Sequence, residues 1–354
     1  MVSVAGGEEE AVRWATAAHA LDYDDLHLPS TAHISAVCIP AVLAVDPARD
    51  PGRAYLAGAG VMARVGTALG WEHYRLGWHV TCTAGVFGAA VAAAVAAGLD
   101  EPATARAIAL ALPAAGGVQR SFGTMAKPLQ VGFAAAAGVR AARLAAAGAG
   151  ADLSAVEAWF PLVGGALDSF DVSGEAIPGG LAVKVYPCCY ALQRPIAAAA
   201  TLAIDAGEVE EVVCRTPASA LQPLIHSRPA TGLEGKFSLE YGVAAALLDR
   251  EPGFASFSDD CVRRPHAQQL MTKVKVEASP GGKGLLEGVC AVEVQLRSGE
   301  RRTASLELPP GAPGNPPSTR QLDAKARDCC GDLAGAVLGL EWADAAAFLR
   351  HTLD

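Results

Sequence analysis

Two long alanine-rich stretches, at about residues 89–97 and 134–147, most constrain what this chain can fold into. Alanine has the highest intrinsic helix propensity, and its short side chain lets neighbouring helices approach closely. The stretches therefore predict a core of closely packed helices. The chain has 354 residues, 51% of them hydrophobic, which is enough for one large domain or for two domains with separate cores.

The pattern of helix formers and helix breakers divides the chain into three parts. Helices are predicted in the first part at residues 11–21, 36–45, 59–69, 83–98, 102–112, 132–147 and 154–160. After Gly180, β-branched and alternating segments predict strands at 209–215, 273–277, 289–297 and 303–308, with helices at 191–206 and 238–249. After a linker rich in proline and glycine at 309–317, residues 319–338 and 342–352 are again predicted to be helical.

These segments predict a mainly α protein with a smaller α+β lid domain. The large helical domain (1–180) is built from both chain ends, because the C-terminal helices (311–354) are expected to return to it. The lid domain comprises residues 181–310. The cleft between the two domains is the expected ligand site.

Composition excludes several classes of function. The net charge is −9 and there is no block of lysine and arginine, so we expect no nucleic-acid partner. The most apolar stretch, at 86–99, is too short for a membrane span, so no membrane is expected either. The nine cysteines form no Cys-x-x-Cys motif, so the spacing of a zinc ribbon is absent. No signal peptide is visible, which indicates reduced thiols and a cytoplasmic location.

Carboxylates and histidines are concentrated between two apolar helices. The segment at 21–33 carries Asp22, Asp24, Asp25, His27 and His33. One interpretation is structural, with Asp24 or Asp25 capping a turn and both histidines at the surface. A second is a general acid/base site in which an aspartate orients a histidine. Metal binding is a weaker third interpretation, because His27 and His33 are six positions apart and do not share a helical face.

A histidine and a lysine stand out further along the chain. His79 lies just before an alanine-rich helix that Thr81 or Thr83 could cap, which would place it beside a helix N-terminus. Lys127 is the only lysine in the first 183 residues. Lys127 is a candidate to pair with a substrate carboxylate or to act as an acid. The simpler alternatives are that Lys127 is a solvated surface lysine and that His79 is a partly buried histidine with a packing role.

The junction between the predicted domains carries a second isolated lysine. Lys184 precedes a proline turn and is followed by the adjacent Cys188 and Cys189. The two cysteines could be small buried hydrophobic residues with no chemical role.

Taken in order, these segments resemble the MmgE/PrpD family, which includes 2-methylcitrate dehydratase, cis-aconitate decarboxylase and iminodisuccinate epimerase. The resemblance extends from about residue 15 to the end of the chain. The matching strings lie at 18–25, 77–79, 83–85, 123–125, 127–129, 184–188 and 235–241.

The resemblance implies a homodimeric enzyme that needs no metal or organic cofactor. It implies a lyase, either a dehydratase or a decarboxylase, acting on a small di- or tricarboxylate by proton transfer at a carbon next to a carboxylate. An epimerase or isomerase of a dicarboxylate such as iminodisuccinate, or a repurposed member in a biosynthetic pathway, remains an alternative. The implied catalytic residues are Asp22, His33, His79, Lys127 and Lys184, and the implied substrate-binding residues are Thr83, Tyr186, Cys188, Cys189, Lys236 and Tyr241.

The chain departs from the family pattern at several positions. Members usually begin with additional helices, so the sequence indicates a shortened N-terminus. Leu26 or His27 stands where decarboxylases often have threonine. Gln193 stands where many members have a histidine, and Cys189 stands where the decarboxylases have a further histidine. These departures leave dehydration, decarboxylation and epimerisation all open.

Overall fold

The computed structural model describes residues 7–46, 48–167 and 170–353 of the chain. The predicted absence of a signal peptide rests partly on residues 1–6, which lie outside these ranges. The run of helices predicted for the first part is confirmed. Its members are α1 (Gly7–Ala20), α2 (Ser35–Leu43), α3 (Pro51–Arg75), α4 (Val80–Thr83), α5 (Gly85–Ala96), α6 (Glu101–Ala111), α7 (Ala126–Ala146) and α8 (Ser154–Leu162).

Close helix packing follows directly from the alanine and glycine content. Helix α5 is buried on nearly every face and packs against α3 and α7. At Gly138 of α7, an added Cβ atom would lie 2.3 Å from the Cβ of Ala89 on α5, so no larger residue fits there without movement. Helix α3 begins before the predicted residues 59–69. Gly70 has a φ of +69° and breaks α3 into two helical pieces, so the first piece ends near the predicted boundary.

The second part of the chain forms an α+β unit. Its helices are α9 (Gln193–Thr201), α10 (Gly232–Gly235), α11 (Leu239–Asp249), α12 (Asp259–Arg263) and α13 (Pro265–Met271). Its strands are β3 (Val209–Pro217), β4 (Val274–Ser279), β5 (Cys290–Leu296) and β6 (Arg301–Leu306), in the order β4-β3-β5-β6. Strands β5 and β6 form the predicted hairpin, and β3 runs parallel to β4.

One face of this sheet is covered by α9 and α11. Side chains of β5 alternate between buried and partly exposed, as expected for a strand with one face in the core. Arg194 of α9 is buried, and its guanidinium donates to the backbone oxygens of Leu285, Leu286 and Gly288. The arginine therefore fixes the loop before β5 to the helix layer.

A short two-stranded sheet connects the first part of the chain with the second. Strand β1 (Asp25–Leu26) pairs antiparallel with β2 (Ala182–Val183). This pairing brings the residues just before β1 and just after β2 together, including Asp22 and Lys184.

The C-terminal helices are α14 (Thr319–Cys330), α15 (Ala334–Leu338) and α16 (Trp342–Leu353). Arg350 of α16 pairs with Glu10 of α1 and with Asp46, and the Trp342 ring lies 6.1 Å from that of Tyr55. The return of the chain end to the helical part is therefore confirmed, as is the mainly α fold with a smaller α+β part. The domain boundaries at 180 and 310 stay predictions.

Two local predictions were wrong. Residues 319–338 do not form one helix, because α14 ends before a 3₁₀ turn at Gly331–Leu333. Neither threonine caps a helix: Thr81 Oγ1 accepts from the backbone N–H of His33, and Thr83 Oγ1 bonds Nε2 of His73. Among the described residues, no helix combines the length and hydrophobicity that a membrane crossing needs.

Candidate active site

Two lysines converge on one carboxylate oxygen. Oδ1 of Asp22 lies 2.9 Å from Nζ of Lys127 and 2.8 Å from Nζ of Lys184. All three residues are buried. Lys184 also donates to the backbone oxygen of Asp22, at 3.1 Å. The chain therefore concentrates two positive charges in its interior against a single neighbouring carboxylate.

Local structure places each member of this group. Asp22 follows the end of α1 with a φ of +51°, a left-handed conformation that aspartate tolerates better than most residues. Lys127 lies in the first turn of α7, and Lys184 directly follows β2. Because β2 pairs with β1, the lysine reaches an aspartate 162 positions earlier in the chain.

The group is held in a defined charge state. Burial acts to raise the pKa of Asp22, but the charges of Lys127 and Lys184 outweigh it and hold the pKa well below its ordinary value. Burial acts to lower the pKa of Lys184, but Asp22 and Asp24 outweigh it and raise the pKa. The aromatic rings of Phe122 and Phe237 also contact the Lys127 ammonium, at 5.5 and 5.3 Å.

A second carboxylate orients two histidines. Oδ2 of Asp24 lies 2.9 Å from Nδ1 of His19 and 2.9 Å from Nδ1 of His33. Nε2 of His19 accepts from Nζ of Lys127 at 2.6 Å, which joins the aspartate–histidine group to the lysine group. Burial is the main cause that lowers the pKa of His33 to about 3, against the opposing charge of Asp24.

His27 does not belong to this group, although it is also buried. Its Nδ1 bonds Oγ of Ser30 and its Nε2 bonds the backbone oxygen of Pro178. Asp25 is also separate, because it accepts from the backbone N–H of Ser35 at the start of α2. The surface interpretation of His27 and His33 was therefore wrong, whereas an aspartate does orient His33.

His79 contributes a third imidazole to the same region. It immediately precedes α4, and its ring centroid lies 5.9 Å from that of His19. Nδ1 of His79 lies 2.7 Å from Nε2 of Gln130 and 3.2 Å from Sγ of Cys82. Burial, followed by the charge of Lys127, lowers the pKa of His79 well below its ordinary value.

A small cavity lies at the centre of these groups. Its volume is about 20 Å³, room for a water molecule but too little for a polycarboxylate. The residues that line it come from both parts of the chain: Asp22, Leu26, Thr31, His33, Tyr74, His79, Phe122, Lys127, Cys189, Tyr190, Phe237 and Leu285.

Lys236 borders a second, smaller space on the His19 side of the same cluster. Its ammonium donates to the backbone oxygens of Leu21 and Pro187, both at 2.6 Å. Burial lowers its pKa to about 8. Lys236 therefore adds a third cation close to Asp22, and Cys189 borders the main cavity directly.

Four residues predicted to bind substrate lie away from these cavities. Tyr241 is buried under Gly235, and its hydroxyl donates to the backbone oxygen of Ser256. The hydroxyl of Thr83 is hydrogen-bonded to Nε2 of His73. These two residues, together with Tyr186 and Cys188, do not line the main cavity as the structure describes it. Their contribution to substrate binding stays a prediction.

Gln193 explains one departure from the family pattern. Its Oε1 accepts from the backbone N–H groups of Val185 and Tyr186, and its Nε2 donates to the oxygen of Tyr186. The side chain thus fixes the segment that carries Lys184. At this position the chain uses an amide as a structural clamp, in place of the expected histidine.

The structure adds residues that sequence reasoning missed. His19, Gln130 and Tyr190 are the polar ones. His19 stands only three positions before Asp22, a spacing that could have signalled a shared turn. Tyr190 follows the two cysteines, lines the cavity, and its hydroxyl finds no hydrogen-bond partner among the described residues.

Four side chains of this region are of the types that bind metal ions. Ligand atoms of His19, Asp22, Asp24 and His33 lie within 4.8 Å of one another. However, the ammonium groups of Lys127 and Lys184 already bind Oδ1 of Asp22, and Lys127 also binds Nε2 of His19. Among the described residues Oδ2 of Asp22 has no hydrogen-bond partner, but a divalent ion bound there would add positive charge next to both ammonium groups, so the donor set fits a metal ion poorly.

Comparison of the sequence with known proteins identifies the family. The family model of the MmgE/PrpD N-terminal domain matches residues 8–163, and that of the MmgE/PrpD C-terminal domain matches residues 186–345. Cis-aconitate decarboxylase of Mus musculus is 26% identical over 344 residues, covering 88% of this chain and 69% of the relative. The cis-aconitate decarboxylase of Homo sapiens is 26% identical and covers 88% of this chain and 70% of the relative. The cis-aconitate decarboxylase of Aspergillus terreus is 26% identical and covers 86% of this chain and 70% of the relative. The chain belongs to the MmgE/PrpD family.

Proposed function

We propose that this protein is a lyase that acts on a small di- or tricarboxylate, with decarboxylation of a cis-aconitate-like substrate as the leading reaction. The observation that carries the proposal is the convergence of Lys127 and Lys184 on Asp22 beside uncharged, buried histidines. The names of the similar decarboxylases support the choice of substrate class.

The chemistry needs positive charge next to a proton-transfer group. A proton on a carbon beside a carboxylate is weakly acidic, and the carbanion is stabilised when nearby cations neutralise the carboxylate oxygens. Lys127, Lys184 and Lys236 supply these cations. An uncharged histidine supplies a site that takes or returns a proton near neutral pH.

The three candidate reactions differ in the bond that breaks and in the group, if any, that the substrate loses. In decarboxylation a C–C bond breaks, CO₂ leaves, and the electron pair left on carbon takes up a proton. In dehydration a proton leaves carbon and a β-hydroxyl leaves as water. In epimerisation the proton returns to the opposite face of the same carbon. The same cations and histidines could serve each reaction, because all three share the carbanion.

Substrate entry requires the site to open. A cavity of about 20 Å³ does not hold a polycarboxylate, and its lining comes from both the helical part and the α+β part. We propose that the α+β part acts as a lid, and that movement of Phe237, Cys189 and Tyr190 away from the lysines admits substrate. Closure would then exclude water from the reacting carbon.

An epimerase is the second candidate, and Cys189 favours it. This residue borders the cavity where the family resemblance leads us to expect a decarboxylase histidine. Burial raises the pKa of its thiol to about 11, so it does not replace an imidazole in proton transfer near pH 7. The site therefore has one proton-transfer group fewer than the decarboxylase pattern implies.

The proposal is tested by supplying cis-aconitate, citrate, 2-methylcitrate and iminodisuccinate separately and identifying the products by NMR. CO₂ or water release from one of the first three supports the lyase. Interconversion of iminodisuccinate stereoisomers without loss of either supports the epimerase. Lys127→Met should abolish the activity found, whereas Lys275→Met, at an exposed ion pair, should not. Absence of turnover on all four compounds would overturn the proposal.

We infer a homodimer that works in the cytoplasm without a metal or organic cofactor. The family resemblance supports the homodimer and the absence of a cofactor. The poor fit of the donor set to a metal ion supports the absence of a metal.

A further inference from the structure

The histidines that border the main cavity have different hydrogen-bond partners at Nδ1. The Nδ1 atom of His33 faces a carboxylate oxygen of Asp24, whereas Nδ1 of His79 faces the amide nitrogen of Gln130 and the thiol of Cys82. A neutral imidazole carries its proton on only one nitrogen, and the partner of one nitrogen decides which. The two histidines therefore present different chemistry to the cavity.

The orientation of the Gln130 amide is fixed by the backbone. Its Oε1 lies 3.1 Å from the backbone nitrogen of Val118, which can only donate. The oxygen must therefore face Val118, and the NH₂ group faces Nδ1 of His79 at 2.7 Å. The Cys82 thiol can donate to the same nitrogen, because burial raises its pKa and keeps it protonated. With two donors on Nδ1, this nitrogen is the acceptor and the proton of His79 lies on Nε2.

The opposite holds for His33. Ionised Asp24 only accepts hydrogen bonds, so Nδ1 of His33 carries the proton and Nε2 holds a lone pair. Within the described ranges of the chain, no hydrogen bond to Nε2 of His33 is found. His19 has the same arrangement on Asp24, but its Nε2 is already occupied by the ammonium of Lys127.

We infer that His33 is the histidine that exchanges protons with substrate, and that His79 is a fixed hydrogen-bond donor whose tautomer is set by Gln130. This assignment rests on the proposed function. In decarboxylation, His33 takes up one H⁺ from bulk solvent at Nε2; the C–C bond then breaks, CO₂ leaves, and the electron pair left on carbon takes that proton from Nε2. In dehydration or epimerisation, Nε2 takes the proton from carbon. In each case Nε2–H of His79 donates to a substrate oxygen and keeps its proton.

The tautomers are measured directly on the wild-type protein. Two-bond ¹H–¹⁵N spectra of ¹⁵N-histidine-labelled protein distinguish protonated from unprotonated ring nitrogens. Signals are assigned by their loss in His33→Gln and His79→Gln. The inference predicts a protonated Nε2 on His79 and a protonated Nδ1 on His33. A proton on Nδ1 of His79, or on Nε2 of His33, would overturn it whether or not a substrate has been found.

Activity gives an independent test. Glutamine keeps an N–H donor but cannot exchange protons, so His79→Gln should retain far more activity than His79→Leu, for which loss of one donor predicts about a 10²–10³-fold fall in kcat. His33→Gln should lose about 10²–10⁴-fold, because no proton-transfer group remains. His27→Gln, a buried histidine outside the cluster, is the matched control and should keep its activity per folded molecule. Equal losses of activity in His33→Gln and His79→Gln would contradict the assignment of different roles to the two histidines.

Gln130 is tested as a positioning residue. Glutamate at this position accepts a hydrogen bond, so Gln130→Glu should move the His79 proton to Nδ1 and lower kcat with little change in KM. Gln130→Met, of similar size, removes the donor without reversing it and should cause a smaller fall. An unchanged His79 tautomer in Gln130→Glu would show that Gln130 does not set it.

Discussion

Nζ of Lys184 lies 2.8 Å from Oδ1 of Asp22, although the two residues are 162 positions apart in the chain. The contact depends on the short β1–β2 pairing, which joins the helical part to the beginning of the α+β part. A buried lysine and a buried aspartate stabilise each other only when both are present, because an unpaired charge in the interior is costly. The contact therefore couples folding to the assembly of the candidate site.

Replacing the shared carboxylate tests this coupling. Asp22→Asn removes the carboxylate that both ammonium groups contact and leaves Asp24, which contacts neither of them, as the neighbouring counter-charge. Breaking such a buried pair costs about 3–5 kcal/mol of unfolding free energy. The measurement is urea unfolding at pH 7. Glu251→Gln, which breaks an exposed pair with Arg320, should change little. Equal effects of the two substitutions would show that the lysines are stabilised by something other than Asp22.

Acid should destabilise the protein at pH values where Asp22 and Asp24 are still ionised. The pKa of His33 is about 3 in the fold and 6.5 as the ordinary value, so the unfolded state binds more protons between these limits. Stability is therefore lost as pH falls from about 6.5 towards 3, by up to about 1.4 kcal/mol per pH unit for one fully shifted group. His19 and His79 act in the same direction, because burial also lowers their pKa.

One buried carboxyl opposes this trend. Burial raises the pKa of Asp25 from 3.8 to about 6, so the folded state binds the additional proton between these values and gains stability as pH falls. Comparing wild type with His33→Gln between pH 7.5 and 5 cancels this contribution. The stability of the variant should depend less steeply on pH than that of the wild type. Parallel curves would show that His33 does not titrate as a buried neutral group.

Gln193 should matter through Lys184. Gln193→Ala leaves the partly buried backbone N–H groups of Val185 and Tyr186 without their acceptor, which costs about 1 kcal/mol. Activity should fall as well, because the lysine segment loses its clamp. Gln295→Ala, at the sheet surface, is the control. A stable variant with full activity would show that β2 alone positions Lys184.

The expected homodimer can be tested on helix α7. Met125, Leu129 and Phe133 lie four positions apart along one side, and their exposed fractions are 61%, 37% and 60%. Exposed apolar stripes of this kind are typical of protein interfaces. Phe133→Asp should convert a dimer into a monomer in sedimentation velocity experiments. A wild-type protein that is monomeric at micromolar concentration would contradict the prediction.

Sequence reasoning succeeded where the determinants are local. Alanine content predicts the packed helices, and alternation in 289–297 predicts the hairpin of β5 and β6. The isolated positions of Lys127 and Lys184 marked them as candidates, and the structure places both on Asp22. An aspartate near a histidine in sequence also indicated the orientation of His33.

The remainder depends on contacts between distant segments. The partners of Thr81 and Thr83 are His33 and His73, which no local cap rule can identify. Tyr241 belongs to a string shared with the family but packs inward. The role of Gln130 requires knowing that the backbone of Val118 lies beside it, which only the fold reveals.

The most direct test of the proposed proton transfer is the fate of deuterium. Wild-type protein is incubated with cis-aconitate in D₂O, and both product and recovered substrate are examined by ¹H and ¹³C NMR. We expect one deuterium on the carbon next to a carboxylate in wild type, and none above background in His33→Gln. Folded wild-type protein that transfers no deuterium to cis-aconitate, citrate, 2-methylcitrate or iminodisuccinate, and turns over none of them, would contradict the proposal.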